Sequence, residues 1–272
     1  MPIPGYLSLK RYNPQPSIGE GYSLRTIEFD DQGELWDPQQ LEDTLAHIQK
    51  ECEDSQSRSK DHEGVGEVIV ITFIHGWVHS AAPGHQNFNR FSELISKRAK
   101  AEADFARQNN RHARPIIGVY LAWRGLNWNL PILKFFTFWS RKSAALRVGH
   151  LSCTEVIFRI IRAVKARNSR SQCIFVGHSF GGLIMENAIC KALLGTLFLN
   201  EGKSTDSPSD LVVLINPACE ASGAKQFIDI LERNKVVVEM GEGEKRKERK
   251  QNLPFPMLIS ITSARDLATK LA

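Results

Sequence analysis

The amino-acid sequence predicts an α/β fold of three layers, with helices on both faces of a mostly parallel β-sheet. Short apolar runs rich in β-branched residues recur along the chain, as at residues 68–74, 116–122 and 211–215. Stretches with apolar residues at helical spacing separate these runs. Strands that are apolar throughout belong inside a sheet covered on both faces, and helical connections between them make the strands parallel.

The individual elements follow from local periodicity and turn chemistry. Strands are predicted at residues 23–29, 68–74, 116–122, 173–176, 211–215 and 257–261, and helices at 38–52, 88–106, 144–164, 183–194 and 224–231. After the turn sequence at 30–33, residues 34–36 return as a hairpin. Gly195 stands where a glycine commonly ends a helix. The polar stretch 55–66 predicts a linker between an N-terminal extension of residues 1–60, a hairpin plus a helix, and a main domain of residues 67–272.

Composition excludes several classes of protein. The 272-residue chain is 42% hydrophobic and 24% charged, which is ordinary for a globular domain and excludes a wholly disordered or collagen-like chain. No stretch approaches the roughly eighteen uncharged apolar residues of a membrane-spanning helix, and no signal peptide is recognisable. The five cysteines are scattered without a CxxC pair, and they predict buried thiols rather than disulfides or zinc ligands. We therefore expect a cytoplasmic protein.

The formal charge of +5 is concentrated in one segment. Residues 245–250 carry five basic side chains and one acidic one, between two predicted strands. A solvated surface loop is the simpler interpretation, and contact with an anionic partner or a membrane surface is the alternative. The chain shows no phosphate-binding glycine loop, metal-ligand spacing or nucleic-acid motif, so we expect no cofactor, no metal and no nucleic-acid partner.

The pentapeptide Gly177-His178-Ser179-Phe180-Gly181 makes Ser179 the candidate nucleophile. It directly follows a predicted strand and precedes a predicted helix, which is the setting of a nucleophile elbow. Glycines suit so tight a turn, and the helix start brings backbone N–H groups and a positive dipole end beside the serine. The alternative interpretation is an ordinary Gly/Ser loop.

A second motif, His75-Gly76-Trp77, ends the first core strand. Gly76 permits another backbone segment to approach closely. We interpret His75 as a structural residue that holds this loop rather than as a catalytic base.

These motifs resemble those of the α/β-hydrolase superfamily of serine esterases and lipases. The resemblance covers residues 67–272 and is carried by the sequences IHGW at 74–77, VGHSFGG at 176–182 and SARD at 263–266. The sequence YLAWRG at 120–125 is similar to a poorly characterised bacterial branch of that superfamily. The resemblance implies an oxyanion hole formed by the backbone N–H groups of Trp77 and Phe180.

The resemblance also implies a catalytic triad in the order Ser, Asp or Glu, His. Asp266 follows the predicted strand at 257–261 and is the favoured acid, while Glu220, after the strand at 211–215, is the second candidate. Either could instead be a solvated surface carboxylate. The eight histidines (47, 62, 75, 79, 85, 112, 150 and 178) all precede Ser179. We expect a hydrolase truncated at its C-terminal end; a naturally inactive chain, or a base recruited from His150, His79 or His85, is the alternative.

An aromatic segment at residues 124–140 follows a core strand at the end where such sheets bind ligands. Trp128, Phe135, Phe136 and Trp139 could line an acyl pocket or a lid, and the alternative is a loop packed onto the domain. The sequence thus predicts a serine hydrolase that cleaves carboxylic esters, including lipid-like ones, through an acyl-enzyme at Ser179. Amidase or thioesterase chemistry uses the same parts, and an inactive binding or interaction module is the alternative.

Overall fold

The structure is a computed structural model that describes five stretches of the chain. They are residues 16–58, 66–123, 134–199, 210–219 and 258–262, without 78, 83, 151, 167 and 169, and with the backbone alone at 134–140 and 190–199. The strands are β1 (Ser17–Gly19), β2 (Tyr22–Glu28), β3 (Ile69–Ile74), β4 (Ile116–Ala122), β5 (Gln172–His178), β6 (Leu211–Ile215) and β7 (Leu258–Ile261). The helices are α1 (Pro38–Arg58), α2 (Gln86–Gln108), α3 (Lys134–His150), α4 (Ser152–Lys165) and α5 (Phe180–Leu199).

The described strands form one sheet in the order β1-β2-β4-β3-β5-β6-β7. The pair β1–β2 is antiparallel, and the five other pairs are parallel. The predicted α/β class with a mostly parallel sheet is therefore confirmed. All seven residues of β4 are buried, as expected for a central strand covered on both faces.

Helices cover the sheet on both faces. On one face, α2 packs Phe91 and Ile95 against Tyr120 of β4 in one hydrophobic cluster. The opposite face carries a larger cluster to which α1, α3, α4 and α5 contribute. The chain steps from β3 to β4 in one direction through α2, and from β4 to β5 in the other direction through α3 and α4. Right-handed crossovers in opposite directions place their helices on opposite faces, as observed.

Two helices differ from the sequence prediction. The helix expected at 144–164 is two helices, since α3 ends at His150 and α4 begins at Ser152. The expected stop at Gly195 is wrong, because α5 continues through Gly195 to Leu199. A glycine ends a helix only where the chain turns away, and here the residues after it continue the helix.

The N-terminal segment belongs to the same sheet and core as the rest. β2 pairs with β4 over its whole length, and Leu41 and Ile48 of α1 are buried in the larger cluster. The hairpin expected after β2 is reduced to a single antiparallel bridge between Phe29 and Leu35. Residues 16–58 therefore share one sheet and one hydrophobic cluster with the residues that follow.

Three cysteines are core residues. Cys52, Cys153 and Cys173 are buried free thiols in the larger cluster, as predicted. Burial raises the pKa of Cys173 to about 12, so this thiol is inert as a nucleophile at neutral pH.

A carboxylate near the end of α2 ties this helix to the chain that enters β4. Glu102 is 1% exposed and accepts hydrogen bonds of 2.8 and 3.0 Å from the guanidinium of Arg114. Arg111 makes a further contact of 2.8 Å. Burial opposes ionisation of Glu102, but the hydrogen bonds from Arg114 and Arg111 outweigh it and lower the pKa of the carboxyl to about 2.

We expect Glu102→Ala to lower the free energy of unfolding by about 2–3 kcal/mol, because removal of one partner leaves the arginines without their buried counter-charge. Urea denaturation at pH 7 measures this change in the free energy of unfolding. Glu93→Ala, at an exposed position of the same helix, is the control and should change stability by less than about 0.5 kcal/mol. Equal effects of the two substitutions would contradict a stabilising role for the Glu102 contacts.

Candidate active site

Three parallel strands end together at the carboxyl edge of the sheet. In β3, Ile74 is level with Leu121 of β4 on one side and with Gly177 of β5 on the other. The residues that follow these strands are therefore neighbours: the turn that begins at His75, Trp123, and the turn at Ser179. Two separate sequence motifs thus meet at one place.

The strand order makes this place a switch point. From the carboxyl end of β3 the chain proceeds to β4 on one side, and from that of β5 it proceeds to β6 on the other. Because the two connections diverge, they leave a crevice between the ends of β3 and β5, and ligands of open α/β sheets bind in such crevices.

Ser179 occupies the tight turn between β5 and α5. Its φ is 55°, in the left-handed region that non-glycine residues rarely adopt. Its N–H donates to the Ile215 carbonyl at 3.0 Å. Its own carbonyl accepts from Gly182, Leu183 and Ala218 at 2.9, 3.2 and 3.1 Å. These bonds hold the strained conformation and leave the side chain half-buried at the edge of the sheet.

Glycines are required on both sides of the serine. A methyl group on Gly177 would lie 2.6 Å from the Gly181 carbonyl oxygen, and one on Gly182 would lie 2.8 Å from Cβ of Pro217. A methyl group on Gly181 would collide with the carbonyl oxygen of Ile74. The turn can form only because these positions lack side chains.

Gly76 brings the turn after β3 against the serine. A methyl group at Gly76 would lie 2.8 Å from Cβ of Ser179 and 2.9 Å from the His178 carbonyl oxygen. The backbone of the His75-Gly76-Trp77 turn is thus in direct contact with the candidate nucleophile.

We expect Gly181→Ala to destabilise the fold by several kcal/mol, because the new methyl group meets backbone atoms of β3 that cannot move without disrupting the sheet. Gly84→Ala is the control, since Gly84 has open space around it, and it differs from Gly181 in having a positive φ, of 77°. The control substitution should lower the free energy of unfolding by about 1 kcal/mol, which is the strain of an alanine in the left-handed region. Thermal unfolding compares the two variants, and an equal loss in both would contradict the contact between the turns.

His75 is fully buried, and both nitrogens of its ring are engaged. The Trp123 backbone N–H donates to Nε2 at 3.1 Å, and Nδ1 lies 2.9 Å from the Gly76 carbonyl oxygen. The indole Nε1–H of Trp123 donates to the His75 carbonyl at 2.8 Å, and the two rings stack with centroids 5.9 Å apart. Burial lowers the pKa of His75 to about 3, so the ring is neutral at physiological pH. These contacts are those of a residue that holds a loop.

Further histidines lie around this turn. The ring of His79 is 5.3 Å from that of His85 and 6.3 Å from those of His75 and His178, between centroids. His85 is the N-cap of α2, where its Nδ1 accepts from the Asn87 N–H at 3.3 Å. Burial, followed by repulsion from His85 and His178, lowers the pKa of His79 to about 4. Despite this grouping, the described residues contain no cluster of His, Cys, Asp and Glu suited to hold a metal ion.

None of the hydrogen bonds found in the described stretches joins a histidine ring to Ser179 Oγ. His150 lies exposed at the end of α3. A serine–histidine hydrogen bond of 2.7 Å does occur between Ser23 Oγ and His47 Nε2. It lies at the opposite edge of the sheet, because Ser23 is level with Ile117 near the start of β4. That pair therefore does not supply a base to Ser179.

The candidate acids Asp266 and Glu220 lie outside the described residues. The described residues before Glu220 contact the turn at Ser179, since the Ala218 N–H donates to the Ser179 carbonyl. The Asn216 N–H donates to the Ile261 carbonyl at 2.7 Å, which places the ends of β6 and β7 side by side. The described residues that precede each candidate, 216–219 and 258–262, therefore lie at the same edge as Ser179.

One carboxyl group close to this edge was not predicted from the sequence. Glu186 is half-buried on α5, and its carboxyl group contacts the side chain of Cys219, in the loop after β6. Burial raises the pKa of Glu186. A signal for it exists in the sequence, since Glu186 is the acidic residue of a mostly apolar helix, α5.

The proposed substrate-pocket residues are described only in part. Trp128 lies outside the described residues. Phe135, Phe136 and Trp139 belong to the first turns of α3, and their side chains lie outside the described part of the structure. The stretch from 134 onward is thus helical, which differs from the packed loop that was the alternative interpretation of this segment.

Neither a protein-family model nor a curated protein matches this chain. Across the described stretches, no helix has both the length and the apolar character needed to cross a membrane.

Three histidines, one buried and two half-buried, predict how the stability of the fold depends on pH. Burial lowers the pKa of His47 to about 4, of His75 to about 3 and of His79 to about 4, against about 6.5 in the unfolded chain. Between pH 6.5 and 5 the unfolded chain gains protons that the folded chain does not, so the free energy of unfolding falls as pH falls. Each such histidine contributes up to about 1.4 kcal/mol per pH unit.

Urea denaturation across this pH window measures the slope. We expect His47→Gln to reduce it by up to the contribution of one histidine, and His112→Gln, at an exposed position, to leave it unchanged. A slope that is the same in all three proteins would show that His47 titrates alike in the folded and unfolded states, which would contradict its lowered pKa.

Proposed function

We propose that this protein is a serine hydrolase of the α/β-hydrolase type that cleaves carboxylic esters, including lipid-like ones, through an acyl-enzyme at Ser179. The observation that carries the proposal is the contact between two turns at the switch point of the sheet. Ser179 stands there at a positive φ after β5, with Gly76 of the turn after β3 packed against its Cβ. A strained serine between a strand and a helix start is the arrangement of a nucleophile elbow.

The proposed oxyanion hole consists of the backbone N–H groups of Phe180 and Trp77. Phe180 is the first residue of α5, where backbone N–H groups have no carbonyl partner within the helix and the helix dipole is positive. Trp77 follows the glycine that touches the serine. Two donors aimed at one developing oxyanion stabilise the tetrahedral intermediate by a few kcal/mol each.

In this mechanism Ser179 Oγ attacks the ester carbonyl, the alcohol leaves, and water then hydrolyses the acyl-enzyme. Both steps need a base that removes a proton from the attacking oxygen. Asp266, or Glu220 in its place, is the proposed acid that orients a histidine. The second candidate function is an inactive hydrolase-fold binding module, and it is favoured by the described contacts, in which no histidine ring bonds to Ser179 Oγ.

Labelling with a fluorophosphonate probe distinguishes the two functions. We expect slow covalent labelling of the wild-type chain at Ser179, located by peptide mass spectrometry. The Ser179→Ala variant should lose at least about 99% of the labelling, since the residue that forms the bond is removed.

Ser80→Ala is the matched control, because Ser80 is half-buried on the loop that follows the β3 turn, and it should label like the wild type. Labelling that survives Ser179→Ala would assign the reaction to another residue. A folded wild-type chain that does not label at all would favour the binding module.

A further inference from the structure

The hydrogen bonds of His75 define its tautomer. A backbone N–H can only donate and a carbonyl can only accept. The Trp123 N–H therefore requires an unprotonated Nε2, and the Gly76 carbonyl requires a proton on Nδ1. Protonation of both nitrogens would set two hydrogens against each other at the Trp123 N–H in a site that is fully buried.

These bonds orient two successive peptide groups of the turn. In a planar trans peptide the C=O and the N–H point in opposite directions. The His75 carbonyl points at the indole of Trp123, so the N–H of Gly76 points away from the indole. The Gly76 carbonyl points at the His75 ring, so the N–H of Trp77 points away from that ring.

Trp123 also connects this turn to the elbow. Its ring lies 6.3 Å from that of Phe180, between centroids, and both side chains are buried in the same cluster. The His75 carbonyl that accepts from the indole is also one of the atoms that a methyl group on Gly181 would meet, at 2.6 Å. A displacement of Trp123 would therefore disturb both the His75-Gly76-Trp77 turn and the turn at Ser179.

We propose that Trp123 is a positioning residue: its indole N–H and backbone N–H hold His75 in the neutral tautomer protonated on Nδ1 and thereby orient the N–H of Trp77 in the oxyanion hole. The inference rests on the proposed function for the role of that N–H. It concerns the residue after β4, to which the hydrolase motifs assign no role.

The Trp123→Phe variant tests the indole hydrogen bond separately from the packing of the aromatic ring. Phenylalanine keeps an aromatic ring to stack on His75 and keeps the backbone N–H to Nε2, but it lacks the donor to the His75 carbonyl. Trp36→Phe is the matched control, since Trp36 is half-buried in the loop after β2 and makes no contact in the network of His75.

Two measurements test the proposal. Nitrogen NMR of the wild type should show His75 as the Nδ1–H tautomer between pH 5 and 8, and the amide signals of Gly76 and Trp77 should shift in Trp123→Phe but not in Trp36→Phe. The rate of phosphonylation at Ser179 should fall about ten- to a hundredfold in Trp123→Phe, with unchanged probe affinity and cooperative unfolding retained, because small misplacements of catalytic donors have effects of this size.

An Nε2–H tautomer, or amide signals that do not move in Trp123→Phe, would overturn the proposal. A wild-type rate of phosphonylation in Trp123→Phe would do so as well. If the wild-type chain does not label at all, the proposed function fails, while the NMR signals still decide whether Trp123 positions the turn.

Discussion

Two backbone turns touch at the carboxyl edge of the sheet, and their contact constrains the residues around them. Gly181 lies against the end of β3, and Gly76 lies against Cβ of Ser179. Because β3 and β5 are adjacent and parallel, the turns that follow them compete for the same space. Glycine at both positions leaves room for the two turns to pack, and Ser179 adopts a left-handed conformation in this tight turn. The identity of these residues is therefore a consequence of the strand order.

The described polar contacts around His75 involve no buried charge. His75 is neutral, and its ring and carbonyl are matched to the donors and acceptors of Trp123 and Gly76. A fully matched network of this kind is rigid, because each bond broken would leave a buried polar atom without a partner. Rigid backbone donors in such surroundings suit the stabilisation of a charge that develops only during a reaction.

The sequence predicts the parts of this arrangement that depend on local pattern. Apolar runs revealed β3, β4, β5 and β6, and the Gly-x-Ser-x-Gly motif between a strand and a helix revealed the turn at Ser179. Local pattern could not reveal that β2 lies beside β4, since that pairing joins residues about ninety positions apart in the chain. Local pattern also failed to predict that α5 extends past Gly195. The hydrogen bond between Trp123 and His75 could not be predicted either, because it depends on the register of two strands.

A crystal structure of the fluorophosphonate adduct tests most directly whether Ser179 and the turn after β3 form one reactive site. We expect a phosphonyl group on Ser179 Oγ whose free oxygen lies about 2.7–3.1 Å from the backbone nitrogens of both Phe180 and Trp77. An adduct on another residue, or an oxygen on Ser179 that faces solvent away from these two nitrogens, would contradict it.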